Sequence, residues 1–403
     1  MQNVPGNKIV NGELLAVIAI LGIGSLAMAI PHPILPLYLT SIGITPTILG
    51  LIQSVTMVGM MIGEPSLGWL ADKVGLRIPL SIGTIFCGLA ILCFIFTENT
   101  SAIFFIALIW GITRSAIFGP GRGYIGVKAP PLKRATFMAV ISVVMAGSRT
   151  LGALPGGFIA DTLGYHWVFI ISCIISCLGG LVVILGLKKN RQTKPKPSPS
   201  LISDAPLPLS RGSILRPLFS QGVVAILFFF GLGILFTFLP LLATQVAGVS
   251  ATRVGILFTI SGLVAMVLSI PMAMLADRKG KKVLMIAGLF ISSLAMAGLA
   301  FSESYLWLVI FATLVSFGMA MFEPASLGLI ASVVPHRRLS TAMGLYGGVF
   351  ENTGIIAGSA LAGVVWSAWG PQATFLIGTI TGGLGIITCL GFVKENKGKL
   401  PVY

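Results

Sequence analysis

Apolar residues occur along this chain in long runs that short polar segments separate. Each run has roughly 20 or more residues, enough for a helix to span the ~30 Å hydrocarbon core of a bilayer. The pattern lacks the ten-residue alternation of apolar and polar positions that membrane-spanning strands require. It therefore predicts an all-α membrane protein with twelve transmembrane helices, at residues 14–39, 45–70, 78–97, 101–127, 135–160, 165–187, 218–246, 252–275, 282–301, 304–333, 340–366 and 371–393.

The composition agrees with lipid as the solvent for most of the chain. Only 9% of the 403 residues are charged and the mean hydropathy is +1.00, whereas soluble domains have about 25% charged residues. The five cysteines all lie inside apolar runs, and no cluster of histidines, cysteines and acids has the spacing of a metal site. We therefore expect no metal, no other cofactor and no enzymatic activity.

The net charge of +15 adds to this interpretation only through the positions of the basic residues along the chain. Lysines and arginines concentrate in the loops on the side that carries both chain ends, and Arg253 is the nearest exception. By the positive-inside rule both termini are cytoplasmic. The charge distribution therefore predicts how the chain is oriented in a plasma membrane, and it predicts no nucleic-acid partner. The short loops are compatible with a bacterial inner membrane.

Residues 188–217 interrupt the apolar pattern with a basic segment rich in proline and serine. Such a segment buries little apolar surface, so it predicts an extended cytoplasmic linker. It divides the chain into an N-terminal bundle at 1–187 and a C-terminal bundle with a short tail at 218–403.

The two halves repeat the same phrases at a nearly constant offset. "GWLADKVGLR" at 68–77 is followed by "AMLADRKGKK" at 273–282, and "LPLY" at 35–38 is followed by "LPLL" at 239–242. A constant offset over many landmarks indicates two parallel repeats related by an axis along the membrane normal. The sequence therefore predicts two pseudo-symmetric six-helix bundles.

The phrase at 68–77 resembles the signature loop between spans 2 and 3 of the major facilitator superfamily, with Leu76 where a basic residue is common. The resemblance implies that Asp72 docks on the start of span 11 near 339–340 and latches the cytoplasmic side. Asp277 would dock likewise near 135–136. The alternative is a plain solvated turn. The gating candidates are Gly68, Asp72, Lys73, Gly75, Arg77, Asp277, Arg278 and Gly280.

The stretch "SRTLGALPGG" at 148–157 resembles the antiporter motif in span 5 of the same family. Ser148 and Ala153 depart from the motif, whereas the candidate motif residues are Gly152, Pro155, Gly156 and Gly157. Small residues spaced in this way let helices pack closely, and the resemblance implies export. Asp161, beyond the motif, is interpreted as an outer-turn residue.

Ionisable residues inside apolar spans are costly in lipid, so they mark functional candidates. The candidates for carrying a proton are Glu351, Glu323, Glu64 and His32. The candidates for lining the substrate cavity are Arg114, Arg122, Arg149, Tyr38, Trp110, Phe236 and Tyr346. Arg114 resembles the span-4 arginine of proton antiporters, and structural ion pairs or lipid-facing packing are the alternatives for these residues.

Together these features predict a secondary transporter that exports small amphiphilic organic compounds by alternating access, coupled to proton antiport. The alternative is an organic-anion carrier that uses Arg114, Arg122 and Arg149 as anion contacts. A membrane sensor or a membrane-embedded enzyme is the third class, and the sequence shows no sensor domain to support it. The expected partners are a small-molecule substrate, protons and the bilayer, and we expect the monomer to be functional.

Overall fold

The computed structural model describes residues 6–128, 134–186, 211–334 and 342–393, and every regular element that these residues form is helical. The first part of the chain contains α1 (Gly6–Ala29), α2 (Leu35–Ser41), α3 (Pro46–Val74), α4 (Arg77–Cys93), a 3₁₀ turn (Phe94–Phe96), α5 (Thr100–Lys128), α6 (Arg134–Thr162) and α7 (Tyr165–Gly186). The second part contains α8 (Arg211–Gln245), α9 (Ala251–Lys279), α10 (Lys281–Ala300), α11 (Tyr305–Val333), a π-helix (Tyr346–Glu351) and α12 (Asn352–Phe392).

These helices follow the predicted spans and confirm an all-α membrane protein. Within the described ranges, nine helical stretches are long and apolar enough to cross a membrane. The range given for α12 contains two helical segments, which agree with the end of the predicted span 340–366 and with the span 371–393 and are separated at Gly370, where φ is 82° and the backbone is not helical. α8 begins at Arg211, inside the stretch predicted as linker, and 187–210 lie outside the described residues.

The first predicted span is broken in its middle, and its prolines explain the break. α1 ends at Ala29 and α2 begins at Leu35, with the sequence "IPHPI" between them. Pro31 and Pro33 have no backbone N–H to continue the helical ladder. The chain bridges the gap with a bond from the Leu35 N–H to the Pro31 carbonyl at 2.7 Å. His32 consequently lies in a turn within the apolar segment.

The internal repeat is visible in the backbone of the described residues. Their residues with positive φ are all glycines and form three pairs, 205 or 206 positions apart: Gly43 with Gly248, Gly75 with Gly280, and Gly164 with Gly370. Glycine has no Cβ and adopts this conformation without steric cost. Equivalent turns therefore recur in each half at equivalent places.

Contacts between Cα atoms divide the chain into two compact units. Unit 1 comprises Met1–Asp204 together with Thr237–Gly262, and unit 2 comprises Ala205–Phe236 together with Leu263–Tyr403. In unit 1, α3 packs on α5, α4 packs on α5 and α7, and α1 packs on α6. In unit 2, α10 packs on α11 and α12.

Helices α3 and α5 approach each other closely at glycines. A Cβ atom placed on Gly59 would lie 2.5 Å from the carbonyl oxygen of Leu108, and one placed on Gly111 would overlap the carbonyl oxygen of Thr56. Small residues allow such an approach between helices in lipid, where packing contacts replace the hydrophobic effect as the driving force. The position of α5 in unit 1 depends on these glycines.

Replacing Gly111 with alanine should destabilise the protein, because the new methyl group must push α3 and α5 apart. We expect a loss of roughly 1–3 kcal/mol, the usual cost of overpacking a core. The measurement is the melting temperature in detergent, compared with Gly383→Ala, since a Cβ on Gly383 in α12 would meet no atom within 4 Å. Equal melting temperatures for the two variants would contradict this account.

Candidate functional site

Three of the predicted site residues come together in unit 1. His32 lies in the α1–α2 turn, Arg114 on α5 and Arg149 on α6. The charges of both arginines act on the His32 ring, and the two arginines act on each other. His32 and Arg114 are half-buried and Arg149 is exposed. The broken first span thus positions an imidazole within range of two guanidinium groups.

Trp110 lies beside Arg114 on the same helix, α5. The Arg114 guanidinium carbon lies 5.4 Å from the centre of the Trp110 ring, one helical turn away. This is the range of a cation–π interaction, which is stronger where water is excluded. Trp110 is 2% exposed and packs edge-on against Phe94. It therefore supports Arg114 from the interior of unit 1, and the side chain of Arg122 lies outside the described residues.

Tyr38 is also buried in unit 1, where it ties α2 to neighbouring elements. Its hydroxyl donates to the carbonyl of Phe94 at 3.2 Å. Its ring packs edge-on against Phe169 and His166, with centroids 4.9 and 5.9 Å away. The phenol thereby holds the short helix after the proline break. In this structure Tyr38 is a packing residue, and its assignment to the cavity stays a prediction.

The predicted proton-carrying acids of the second half surround one buried tyrosine in unit 2. Tyr346 is 0% exposed, and its hydroxyl donates to the Ser326 hydroxyl at 2.8 Å. Glu351 and Glu323 both act electrostatically on this phenol. Both acids are half-buried. The structure therefore brings three of the sequence candidates into one neighbourhood.

The backbone around Glu351 is irregular, because Tyr346–Glu351 forms a π-helix. Single-turn π segments occur frequently at functional sites. The side-chain amide of Asn352 donates to the carbonyl of Gly348 at 3.1 Å and stabilises the widened turn. A Cβ atom placed on Gly347 would lie 3.7 Å from Glu351 Oε2, so the carboxylate folds back across this glycine.

Two other candidates lie on α3 and α8. Glu64, on α3 in unit 1, is half-buried and directly precedes Pro65. Phe236, on α8, is half-buried and ends the first segment of unit 2. Their assigned roles stay predictions.

The two signature loops have the same geometry in the two units. α3 ends at Val74 and Gly75 follows with φ 87°, while α9 ends at Lys279 and Gly280 follows with φ 103°. Asp72 and Asp277 are exposed in the last turns of these helices. The repeated glycine is needed because a side chain at this φ is strained.

Basic residues of both loops bind the end of the last helix in their half. Arg77 donates to the carbonyl of Ile184 near the end of α7. Lys282 donates to the carbonyl of Leu390 near the end of α12, at 2.9 Å. Carbonyls at a helix C-terminus lack intrahelical partners and carry partial negative charge. Both cations therefore cap a helix that lies more than 100 residues further along the chain.

The remaining elements of the gating motif are placed as follows. The Lys73 ammonium lies 3.7 Å from the centre of the Trp69 ring, and Arg278 is exposed. A Cβ atom on Gly68 would meet no atom of the described residues within 4 Å, so the close helix approach expected at this glycine is not observed. The predicted docking points at 339–340 and at the side chains of 135–136 lie outside the described residues.

The glycines of the span-5 motif pack against two different helices. Cβ atoms placed on Gly152 and Gly156 would lie against Ala29 and Ile30 at the end of α1, at 2.5 Å for Ala29 Cβ. A Cβ atom on Gly157 would overlap the Ala251 carbonyl at the start of α9. Pro155 lies inside α6. The motif therefore provides close packing on two faces of one helix.

Asp161 is a residue whose partners sequence reasoning missed. It lies at the end of α6, and its carboxylate accepts the backbone N–H groups of Ala251 at 3.0 Å and Thr252 at 2.7 Å. In the sequence, the feature that could have pointed to Asp161 is its position one turn after the pair Gly156-Gly157. The partner is 90 positions away and no local spacing indicates it.

Comparisons with known proteins agree with this architecture. The sequence model of the Major Facilitator Superfamily matches residues 17–251 and 222–402. The multidrug resistance protein MdtG of Escherichia fergusonii is 24% identical, over 87% of this chain and 87% of the relative. The solved nucleoside transporter NupG has a TM-score of 0.76 at 16% identity, over 96% of this chain and all of NupG. The human organic anion transporter MFSD10 has a TM-score of 0.67 at 20% identity, over 94% and 99% of the two chains.

The signature loop leads to a direct test at Asp72. Asp72→Asn should reduce transport by about tenfold at near-normal expression, because the amide loses the charge that a helix N-terminus attracts. Accumulation of fluorescent amphiphilic dyes in efflux-deficient bacterial cells measures the effect. Glu303→Gln, which neutralises an exposed acid in the α10–α11 turn, serves as the control. Transport at the unmodified rate in Asp72→Asn would count against a latch.

Proposed function

The chain belongs to the major facilitator superfamily, and on that premise we propose that it exports small amphiphilic organic compounds in exchange for protons. It is a multi-pass membrane transporter and not an enzyme. The proposed mechanism is alternating access, in which two halves rock about a central substrate site. We place the protein in a bacterial inner membrane with both termini on the cytoplasmic side, because of the charge distribution of the loops. We take 1–187 and 218–403 as the two halves.

The observation that carries proton coupling is the arrangement of Glu323 and Glu351 around the buried Tyr346. A carboxyl group held in a low-dielectric site favours its neutral form, and the same group favours its charged form when water or a cation reaches it. A conformational change that alternates these environments therefore binds and releases one proton. The π-helix provides an irregular backbone that can change at Glu351 without breaking a regular helix.

Two observations support export over import. The glycines of the α6 motif pack closely, as the antiporter-type stretch at 148–157 requires. The relatives at 24% identity include a protein named for multidrug resistance. The proposed substrate class follows from this relationship.

An organic-anion carrier is the second candidate, and the cluster in unit 1 favours it. Arg114 and Arg149 bring two guanidinium groups close to His32. Guanidinium groups bind carboxylates and other oxyanions through paired hydrogen bonds. In this alternative the cluster binds the substrate's anionic group and no proton is exchanged. A solved human organic anion transporter has a similar fold.

Reconstituted proteoliposomes distinguish the two candidates. An imposed pH gradient is combined with a pH-sensitive dye in the lumen and a labelled amphiphilic cation or organic anion. Antiport predicts that adding the amphiphile dissipates the gradient and that the gradient drives its accumulation. Accumulation of the anion that does not respond to the gradient would overturn the proton-coupled proposal and favour the anion carrier.

Neutralising the acids of unit 2 should uncouple transport from protons. In Glu351→Gln and Glu323→Gln, gradient-driven accumulation is expected to be abolished in at least one variant, whereas substrate counterflow stays near the unmodified rate. The reason is that counterflow needs rocking of the loaded carrier but no change of protonation. The matched control is again Glu303→Gln, an acid outside the cluster. Full gradient-driven transport in both variants would exclude these carboxylates as proton carriers.

A further inference from the structure

Within unit 1, the second half of α6 lies in backbone contact with the first half of α9. A Cβ atom on Gly255 would lie 2.5 Å from the carbonyl oxygen of Ala153. The hydroxyl of Thr259 donates to the carbonyl of Thr150 at 3.0 Å. A Cβ on Gly262 would lie 2.6 Å from Thr150 Oγ1. The two helices therefore approach each other closely, at glycines, over about three turns.

This contact ends at one charged anchor, the carboxylate of Asp161. Its Oδ1 accepts the N–H of Ala251 and its Oδ2 accepts the N–H of Thr252, the first two residues of α9. The side chains of Thr252 and Ser250 also donate to it. The first N–H groups of a helix have no partners within the helix, so α6 supplies the cap that α9 would otherwise take from its own preceding residue.

The bonding favours the charged form of Asp161, which lies just beyond the predicted span 135–160. Burial alone raises the pKa of this carboxyl, but the hydrogen bonds from Thr252, Ser250 and Ala251 outweigh burial and leave the pKa below its usual value. A charged acceptor forms stronger bonds than a neutral one, and the helix dipole adds to them. The anchor is therefore in place at neutral pH.

We propose that Asp161 is a positioning residue that latches α6 to α9 at the end of the protein opposite the signature loops. When its bonds to the start of α9 break, the two helices separate and this end of the carrier opens. The contact that remains includes the close backbone approaches at Gly157 and Gly255 and the bond from the Thr259 hydroxyl. Under the proposed topology, this is the outer side of the membrane.

The latch uses the same physics that the family resemblance implies for Asp72, a carboxylate held at a helix N-terminus. The inference rests on alternating access as part of the proposed function. It does not depend on the substrate or on proton coupling, so it is testable without either.

The test measures how fast a reporter cysteine in the contact reacts from the outer side. Thr150 is 7% exposed and faces α9, so Thr150→Cys is placed in a chain whose five cysteines are replaced by serine or alanine. A membrane-impermeant maleimide is added to intact cells without substrate. We expect labelling about tenfold faster in Asp161→Ala than with Asp161 present, and an intermediate rate in Asp161→Asn, which retains one acceptor oxygen.

The matched control is Glu98→Gln, which removes an exposed acid from the turn before α5 at the same end of unit 1. It should leave the labelling rate unchanged. Equal labelling in Asp161→Ala and in the unmodified chain would overturn the latch, as would an equal increase in Glu98→Gln. Monodisperse elution from a sizing column establishes that each compared variant is folded.

A variant of the opposite partner tests the same bond if Asp161→Ala does not fold. Thr252→Pro removes two donors to Asp161, the N–H and the side-chain hydroxyl of residue 252, in the first turn of α9, where proline is tolerated. It should speed labelling as Asp161→Ala does, and combining the two changes should add little. An additive effect of the pair, or no effect of Thr252→Pro, would show that the bond between them is not the latch.

Discussion

The structure depends on one constraint, that the hydrocarbon core of a bilayer offers no water to polar groups. Every helix end, buried charge and proline-freed carbonyl must therefore find its partner within the chain. Where the spans end, the two halves also cap helices in the same way. Arg77 and Lys282 donate to carbonyls at the ends of α7 and α12, each about 107 residues further along the chain. These bonds join the middle of each half to its last helix.

The same constraint explains why functional groups occur together. His32, Arg114 and Arg149 form one charged neighbourhood in unit 1, and Glu323, Glu351 and Tyr346 form another in unit 2. Each neighbourhood coincides with a backbone irregularity, the proline break between α1 and α2 or the π-helix before α12. Irregular backbone in a membrane persists only where protein or a cavity surrounds it. The charges and the irregular segments therefore mark the same functional regions.

A carrier also needs helix surfaces that stay in contact in one state and separate in another. Glycine contacts provide such surfaces. Along α3 and α5 the glycines hold the interior of unit 1, whereas along α6 and α9 they form a contact with one charged anchor. Contact between bare backbones gains van der Waals packing over a large area. In the proposed latch, the bonds of Asp161 to the start of α9 decide whether the surfaces stay together.

Local features of the chain were predictable because their causes are local. The prolines at 31 and 33 explain the break in the first span from the sequence alone, and the repeated segments at 68–77 and 273–282 account for the equivalent turns at Gly75 and Gly280. The charged candidates in the spans were also visible in the sequence, because a charge in an apolar run is conspicuous. The partners of Arg77 and Asp161 were not predictable, since their spacing along the chain carries no local signal.

The sequence by itself determined the helical membrane class, the repeat and the family, because hydropathy, proline and repeated phrases act over short distances. The tertiary structure decided which helix end each charge caps, that Tyr346 lies buried between two acids, and that Asp161 anchors α9. These outcomes depend on which helices become neighbours. That choice follows from packing over the whole chain, and no single segment encodes it.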